Sequence, residues 1–381
     1  MKNFSKTYEN WLFKKHCQEL YNRHQFRKFR RKYLNLRILR CFKIGRGQMV
    51  KSKLVLAYAM VLGAFALVGC EQKTTAPEQQ AADNTASSYV ANNVRIGYQR
   101  SSTLMTLLKE SGELEKELAE KNVKVSWHEF TSGQPLLEAL NVGSVDVTAD
   151  VADTVPVFAQ AAQAKLTYYA KETASPNAQA ILIPQNSTIQ TIADLKGKKI
   201  AVTKAAGSHY LLIAALNKAG LSFKDITPAW LSPADGRAAF QNGGVDAWVT
   251  WEPYVSSGTV VQHAKVLASG EGLASYTRYY LTGQKFAQEN PAILEEIVET
   301  LEEKAEWVKA QPNQAAKVLA PLWGNLPEEV VLKANANRSY NVQPVLIEDM
   351  AEQQQIADAF FKEKLIPNTI DAKASDIFKL K

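Results

Sequence analysis

The sequence predicts an α/β protein built from two similar lobes. Short apolar strands alternate with helical segments from Val94 onward, which is typical of sheets joined by crossover helices. Residues 139–146 and 239–246 share one pattern at a separation of 100 residues: a helix end, a glycine and a strand that begins Val-Asp. A repeat of that length is domain-sized. We therefore expect two mixed, mainly parallel sheets flanked by helices, with a cleft between the lobes.

The first lobe begins with a strand at residues 94–98 and a helix that Ser101 to Thr103 can cap. An alternating strand near Trp127 leads to the loop at 131–134, and Pro135 suits the first turn of the next helix. The strand at 145–149 then runs into Asp150 and Asp153. Asp153 or its neighbour Thr154 could cap the following helix or contact a ligand, and the sequence leaves both roles open.

In the second lobe, the strand at 200–202 enters the small-residue loop 203–209 and then a helix that is closed by Gly220. Such a loop presents free backbone N–H groups and the positive end of the helix dipole, which favour an anion. The alternative is an ordinary helix start with Ser208 as its cap. A nucleotide is not expected, because the Gly-Lys-Ser/Thr of a Walker loop is missing.

The strand at 246–251 ends in Trp-Glu-Pro-Tyr and places an indole and a carboxylate at the carboxyl edge of a sheet. Open α/β folds bind ligands at that edge. Trp248 and Trp251 point to opposite faces of the strand, so at most one faces the cleft. The alternative is that both indoles are core packing.

The C-terminal third is predicted to be mainly helical. Pro291 opens a helix with one apolar stripe that runs to Val308. No third strand-rich lobe follows, so this segment is expected to cover the first lobe. The predicted division is residues 93–183 with 274–381 for lobe 1, and 184–273 for lobe 2.

The positive net charge belongs to the N-terminal leader. The whole chain carries +7, but residues 1–53 hold 16 Lys and Arg and only 2 acidic residues. The remainder holds 29 basic and 36 acidic residues, a charge of −7. Net charge indicates nucleic-acid binding only where the basic residues lie on the folded part. No nucleic-acid partner is therefore expected.

Residues 49–69 form a secretory signal, with a short basic region and an apolar stretch too short to span a membrane. Leu67 to Cys70 match the bacterial lipobox, so Cys70 is expected to carry acyl chains that tether the protein to a membrane. Met49 stands where translation should begin, so residues 1–48 are expected to be a non-native upstream extension. The alternative is a basic nucleic-acid arm or an amphipathic membrane helix around Arg27 to Arg31. Residues 70–92, rich in Ala, Gln, Thr and Ser, are predicted to be a flexible tether.

The sequence offers little for catalysis. The three cysteines, Cys17, Cys41 and Cys70, precede the first strand, which excludes a cysteine nucleophile or zinc site in the globular region. The histidines beyond the leader lack metal-ligand spacing, and no Gly-x-Ser-x-Gly elbow occurs. No catalytic residue, metal or cofactor is expected, and the protein is not predicted to be an enzyme.

Taken together, segments spanning nearly all of residues 94–370 resemble the aliphatic sulfonate-binding proteins of bacterial ABC importers, relatives of taurine- and nitrate-binding receptors. The segments that carry the resemblance, in matching order, are VRIGYQ at 94–99, LEALNVGSVD at 137–146, PVFAQAA at 156–162, ADLKGKKIA at 193–201, GSH at 207–209, PADGRAAFQ at 233–241, VDAW at 245–248 and WEPY at 251–254.

The resemblance implies a bilobal periplasmic-binding-protein fold of type II that closes on its ligand and delivers it to an ABC permease and its ATPase. It implies a lipid-anchored protein of the periplasm or outer cell envelope, expected as a monomer. By family position, a sulfonate would lie on the 207–209 loop, and Trp251 would lie against its carbon chain. The expected ligand-binding residues are Gln99, Ser101, Ser132, Gln134, Asp153, Gly207, Ser208, His209, Trp251 and Glu252.

Glu252 and Asp153 would suit a cationic or hydroxyl end of the ligand, such as the ammonium of taurine, because a carboxylate repels a sulfonate. The segment 150–155 departs from the family by one residue and by the loss of a glycine. That departure leaves the substrate open between taurine and alkanesulfonates. The alternatives are a receptor for nitrate, bicarbonate or a pyrimidine precursor, and an enzyme on the same bilobal fold.

Overall fold

The computed structural model describes residues 90–380, which form two lobes built on separate sheets. The predicted upstream extension (1–48), the predicted signal (49–69), Cys70 and the part of the predicted tether up to residue 89 lie outside the described residues. Within 90–380, no helix is long and apolar enough to cross a membrane. The same residues hold no cluster of His, Cys, Asp or Glu that could bind a metal ion.

The larger sheet has the strand order β12-β5-β11-β3-β1-β2, with β4 paired to β11 and β13 paired to β5. Its strands are β1 (Asn93–Gln99), β2 (Lys124–Phe130), β3 (Val147–Thr148), β4 (Val151–Ala152), β5 (Leu166–Glu172), β11 (Arg278–Gly283), β12 (Val342–Gln343) and β13 (Asp376–Ile377). Strand β1 is parallel to β2 and β3, with Ile96 opposite Trp127 and Val147. Strand β11 is antiparallel to β3, β4 and β5.

The smaller sheet has the order β10-β6-β9-β7-β8. Its strands are β6 (Gln179–Ile183), β7 (Lys199–Val202), β8 (Thr227–Trp230), β9 (Ala247–Trp251) and β10 (Lys265–Ser269). Strand β7 is parallel to β8 and β9, whereas β6 is antiparallel to β9 and β10.

Helices cover both sheets. In chain order they are α1 (Thr103–Ser111), α2 (Glu113–Ala119), α3 (Gly133–Asn141), α4 (Thr154–Ala161), α5 (Gly207–Lys218), α6 (Pro233–Gln241), α7 (Tyr254–Val261), α8 (Gln284–Glu289), α9 (Pro291–Ala310), α10 (Pro312–Leu322), α11 (Glu328–Ala336) and α12 (Met350–Lys362). The apolar stripe of α9, from Ile293 to Val308, is buried in one core with β1 and α1. The C-terminal third thus packs on the first lobe.

The α/β class and the two-lobed architecture are confirmed, and two details differ. Strand β6, at Gln179–Ile183, belongs to the second lobe's sheet, so the chain leaves lobe 1 before the predicted boundary at residue 183. The sheets are mixed without being mainly parallel, because β6 and β11 lie where the chain crosses between lobes. Each enters its sheet without a crossover helix and pairs antiparallel.

Candidate functional site

A cavity between the lobes encloses about 360 Å³ of free space, part of it open to solvent. We call it the central cavity. Both lobes contribute to its wall, which consists of Gln99, Ser101, Gly133, Asp150, Ala152, Val155, Ala206, Gly207, Trp251, Tyr276, Arg278 and Arg338. The carboxyl ends of β1, β4 and β9 lie at this wall, as expected for open α/β sheets.

Arg338 follows α11 and is only 7% exposed. Its guanidinium donates to the carbonyl oxygens of Ser101 and Glu252 and to Thr103 Oγ1, each at 2.8 Å. All three acceptors are uncharged, and within residues 90–380 Arg338 forms no salt bridge. Its Nε–H is buried and has no partner there. Burial raises the pKa of the nearby Glu252 and Glu172 carboxyls, and the charge of Arg338 acts against both shifts. That charge is therefore partly compensated, but neither carboxylate bonds to it. An anion in the cavity would be the first charged group to bond to this guanidinium.

Arg278, at the start of β11, is buried among carboxylates. It donates to Asp150 Oδ2 at 2.5 Å and to Glu172 Oε2, and Tyr280 donates to the other Glu172 oxygen at 2.6 Å. Burial raises the pKa of Glu172, and the charge of Arg278 acts against that shift. The Nε–H of Arg278 and Oδ1 of Asp150 are buried without partners in the described chain. Two carboxylates thus compensate the charge of Arg278, whereas none bonds to Arg338 within the described wall.

The start of α5 also reaches the cavity. Ala206 is its N-cap residue, makes no side-chain capping bond, and lines the wall together with Gly207. The N–H groups of a helix's first turn favour an anion. Gly207 allows the close approach of Tyr276, because a Cβ here would lie 2.4 Å from Tyr276 Cε2. Tyr276 has a φ of 57°, an uncommon conformation that holds its ring against the helix start.

Four of the predicted ligand-binding residues line the central cavity: Gln99, Ser101, Gly207 and Trp251. Gln99 Nε2 donates to the Asp150 carbonyl at 3.2 Å, and Trp251 Nε1 lies 3.4 Å from Ser101 Oγ across the lobes. Trp251 forms the aromatic part of the wall, whereas Trp248 is 1% exposed in the lobe 2 core. One tryptophan of the pair therefore faces the cleft.

The structure does not bring Ser208 and His209 to the cavity. Ser208 is inside α5 rather than at its cap, and its Oγ is buried without a partner in the described chain. The His209 ring is buried among aromatic rings at centroid distances of 4.9 to 6.4 Å, namely those of Phe158, Phe223, Trp230 and Phe360. Burial lowers the pKa of His209 to about 3. Two residues along a helix rotate a side chain by about 200°, which directs His209 away from the face of Gly207.

Four further predicted residues also lie off the cavity wall. Ser132 precedes α3, whose first residue Gly133 lines the wall in its place. Gln134 donates to Glu138 Oε1 at 3.1 Å and lines a separate surface groove. Asp153 is 1% exposed behind the wall residues Ala152 and Val155, and burial and the charge of Glu352 raise its pKa well above the ordinary value.

Glu252 is fully buried, and its carboxylate faces α7 instead of the cavity. It accepts bonds from Ser256 N at 3.0 Å, Ser256 Oγ at 2.8 Å and Asn337 Nδ2 at 2.7 Å. Burial raises its pKa, and the bonds from Asn337 and Ser256 oppose that rise. The expected role of Glu252 in holding a ligand ammonium is not supported by this geometry. Asp150 is the carboxylate that lines the cavity.

The sequence reasoning missed Arg278, Arg338, Asp150 and Tyr276 as cavity residues. Asp150 was noted only as the start of a loop, and the other three come from the C-terminal third, which was predicted to cover lobe 1. Only a weak sequence pattern indicated that any of these residues would be buried. Arg278 begins a strand with the apolar and aromatic run Tyr-Tyr-Leu, and an arginine next to such a run is predicted to be buried and paired.

Two α/β lobes around a buried, partly basic cavity are the architecture of the periplasmic-binding-protein fold. The family model of NMT1/THI5-like proteins matches residues 118–315. A protein of Escherichia coli (strain K12), named an aliphatic sulfonates-binding protein, is 42% identical over 281 residues, 74% of this chain and 87% of that protein. The chain belongs to this family of sulfonate-binding proteins.

Solved structures agree with that assignment. The alkanesulfonate-binding protein SsuA from Xanthomonas axonopodis pv. citri, bound to MOPS, has 39% identity and a TM-score of 0.71, covering 74% of this chain and 97% of its own. The periplasmic aliphatic sulphonate binding protein SsuA from Escherichia coli has 42% identity and a TM-score of 0.68, covering 74% and 91%. These relatives are binding proteins rather than enzymes.

Proposed function

We propose that this protein binds an aliphatic sulfonate in the central cavity and delivers it to the permease and ATPase of an ABC importer. The single observation that carries the proposal is Arg338, a buried guanidinium on the cavity wall that is bonded only to neutral oxygens. A sulfonate would give Arg338 a directly bonded anion, and the first-turn N–H groups of α5 lie at the same wall. The names of the relatives support the same ligand class.

The aromatic wall favours a ligand with a carbon chain. Trp251 is 5% exposed, and its ring lies at the cavity beside Ala152 and Val155. Nitrate and bicarbonate would satisfy the guanidinium but would leave this apolar surface without a partner. The binding free energy from burying such surface is about 25 cal/mol for each Å². Affinity should therefore rise as methylene groups are added to a short alkanesulfonate, until the cavity is full.

Calorimetric titration of the purified mature domain tests the proposal. The sulfonates in the panel are taurine and methane-, ethane-, propane- and butanesulfonate. Sulfate, nitrate, bicarbonate and a pyrimidine precursor represent the alternative ligand classes. We expect saturable binding of at least one sulfonate that is tighter than binding of the inorganic anions. Binding of nitrate or bicarbonate, with no response to any sulfonate, would show that the protein is a receptor for those anions and contradict the proposal.

We further propose that the mature protein begins at Cys70 and is held by acyl chains in the periplasm or at the outer face of the cell envelope. The support is the Leu67 to Cys70 motif at the end of an apolar stretch. Growth with a clickable fatty acid should label the wild type and leave Cys70→Ser unlabelled. Equal labelling of both would show that the acyl chains are attached elsewhere. Light scattering of the domain checks the expected monomer.

A further inference from the structure

A second pocket adjoins the central cavity at the cleft. This outer pocket encloses about 320 Å³, part of it open to solvent, and its wall includes Arg100, Ser101, Arg237, Tyr254 and Trp323. Ser101 lines both pockets, so the two pockets adjoin at this residue. Arg100 and Trp323 come from the first lobe, and Arg237 and Tyr254 come from the second. The lobes therefore form this pocket jointly.

The outer pocket has a surplus of positive charge. Arg237 is exposed on α6 and forms no salt bridge within the described chain. Arg100 donates to Glu129 Oε1 from Nε at 3.0 Å and from an NH2 group at 2.7 Å. Burial raises the pKa of Tyr254, and the charges of Arg237 and Arg100 both act against that shift. Two guanidiniums thus lie in the wall of one pocket, and the carboxylate of Glu129 partly offsets them.

Trp323 belongs to the same wall and is 7% exposed, and its Nε1–H is buried without a partner in residues 90–380. An indole N–H can only donate, so this side chain is compatible with an acceptor in the pocket. The charges of Arg237 and Arg100 favour an acceptor that is also negatively charged.

We propose that the outer pocket binds a second acidic group, so that the preferred ligands are sulfonates with a carboxylate or another sulfonate at the far end of the carbon chain. This inference rests on the proposed function, with the first sulfonate beside Arg338. The residues beyond position 53 carry −7, which disfavours a dianion at long range. Arg237, Arg100 and the Trp323 N–H offset that repulsion at the point where the second acid arrives.

Pairs of ligands that differ only at the far end test the inference by calorimetry. Suitable pairs are 3-sulfopropanoate with butane-1-sulfonate, and 4-sulfobutanoate with pentane-1-sulfonate. In at least one pair, the acid-ended ligand should bind about three- to fivefold tighter at low ionic strength, as expected for a partly exposed ion pair. The advantage should shrink at about 1 M salt, where the Debye length is about 3 Å.

The Arg237→Ala variant should reduce the affinity ratio within the pair to about one, and Arg237→Glu should reverse it. Lys285→Ala is the matched control, because it removes the same charge from a side chain that is 85% exposed and absent from both pocket walls. It should keep the wild-type ratio. A ratio of one in the wild type, or an advantage that survives in Arg237→Ala, would overturn this inference alone. No binding of any sulfonate would overturn the proposed function and this inference with it.

Discussion

Replacing Gly207 by alanine tests how closely the two lobes must approach at the cavity. The added Cβ would lie 2.4 Å from Cε2 and 2.6 Å from Cδ2 of Tyr276, and 3.2 Å from the Cβ of Ala152. An ordinary contact needs about 3.5 to 4.0 Å, so the ring must shift by about 1 Å or more. Overpacking of this kind costs about 1 to 3 kcal/mol. Gly207 and Tyr276 both line the cavity, so we expect this cost to appear as weaker ligand binding.

Calorimetric titration of the Gly207→Ala variant with the best-binding sulfonate should show an affinity about 5- to 150-fold lower. Gly283→Ala is the matched control, because nothing lies within 4 Å of its added Cβ, and it should bind as the wild type does. A double-mutant cycle with Tyr276→Ala should give a coupling free energy of about 1 kcal/mol or more. Unchanged affinity in Gly207→Ala would show that the start of α5 and the Tyr276 ring do not pack this closely when the ligand is bound.

Three other substitutions test separate parts of the site. His209 has a pKa of about 3 when folded, against about 6.5 when unfolded, so the unfolded chain binds more protons at acid pH. Stability should therefore fall by up to about 1.4 kcal/mol per unit below about pH 6.5, and urea titrations of His209→Leu should lack that part of the slope. Glu252→Gln should lower the unfolding free energy by about 1 to 3 kcal/mol, because it disturbs the bonds from Ser256 and Asn337. Its sulfonate affinity should stay near that of the wild type. A large loss of affinity at normal stability would instead make Glu252 a ligand-binding residue. Trp251→Ala should weaken sulfonate binding about tenfold or more and flatten the gain per methylene group, and equal affinities would show that this indole is only core.

The architecture was predictable because its signals are local in the chain. The alternation of strands and helices indicates the α/β class, and the echo at 139–146 and 239–246 indicates two lobes. The point at which the chain passes from one lobe to the other was harder to predict from the sequence. Strand β6 is a fully buried apolar run that would suit either sheet, and only its pairing with β9 and β10 assigns it to the second.

Only some of the cavity residues were predicted from the sequence, and there is a physical reason why the others were not. Gly207 and Trp251 lie where a strand of the second lobe ends, and any parallel sheet brings such ends to one edge. Arg278 and Arg338 reach the same cavity through the return of the chain to lobe 1, at 71 and 131 residues from Gly207. Nothing in their local pattern sets that distance. Long-range pairing therefore determines the charge of the site.

The consecutive motif at 207–209 also shows the limit of reading adjacent residues as one site. Successive residues of a helix point about 100° apart, so a single helix start can present only one or two of the three to a cavity. Gly207 lines the cavity, whereas His209 packs against Phe158 and Phe360 of lobe 1. His209 thus contributes to the apolar contact between lobes and stays neutral there.

The most direct test of the central claim is the sulfonate affinity of Arg338→Gln. Removing one partner of a buried, hydrogen-bonded charge pair costs about 2 to 5 kcal/mol. The dissociation constant measured by calorimetry should therefore rise by about 30-fold or more. Arg95→Gln, which removes the same charge from an ion pair with Asp146 outside the cavity wall, should bind as the wild type does. An Arg338→Gln protein that folds and binds the sulfonate with wild-type affinity would contradict the assignment of Arg338 as the counter-charge of the ligand.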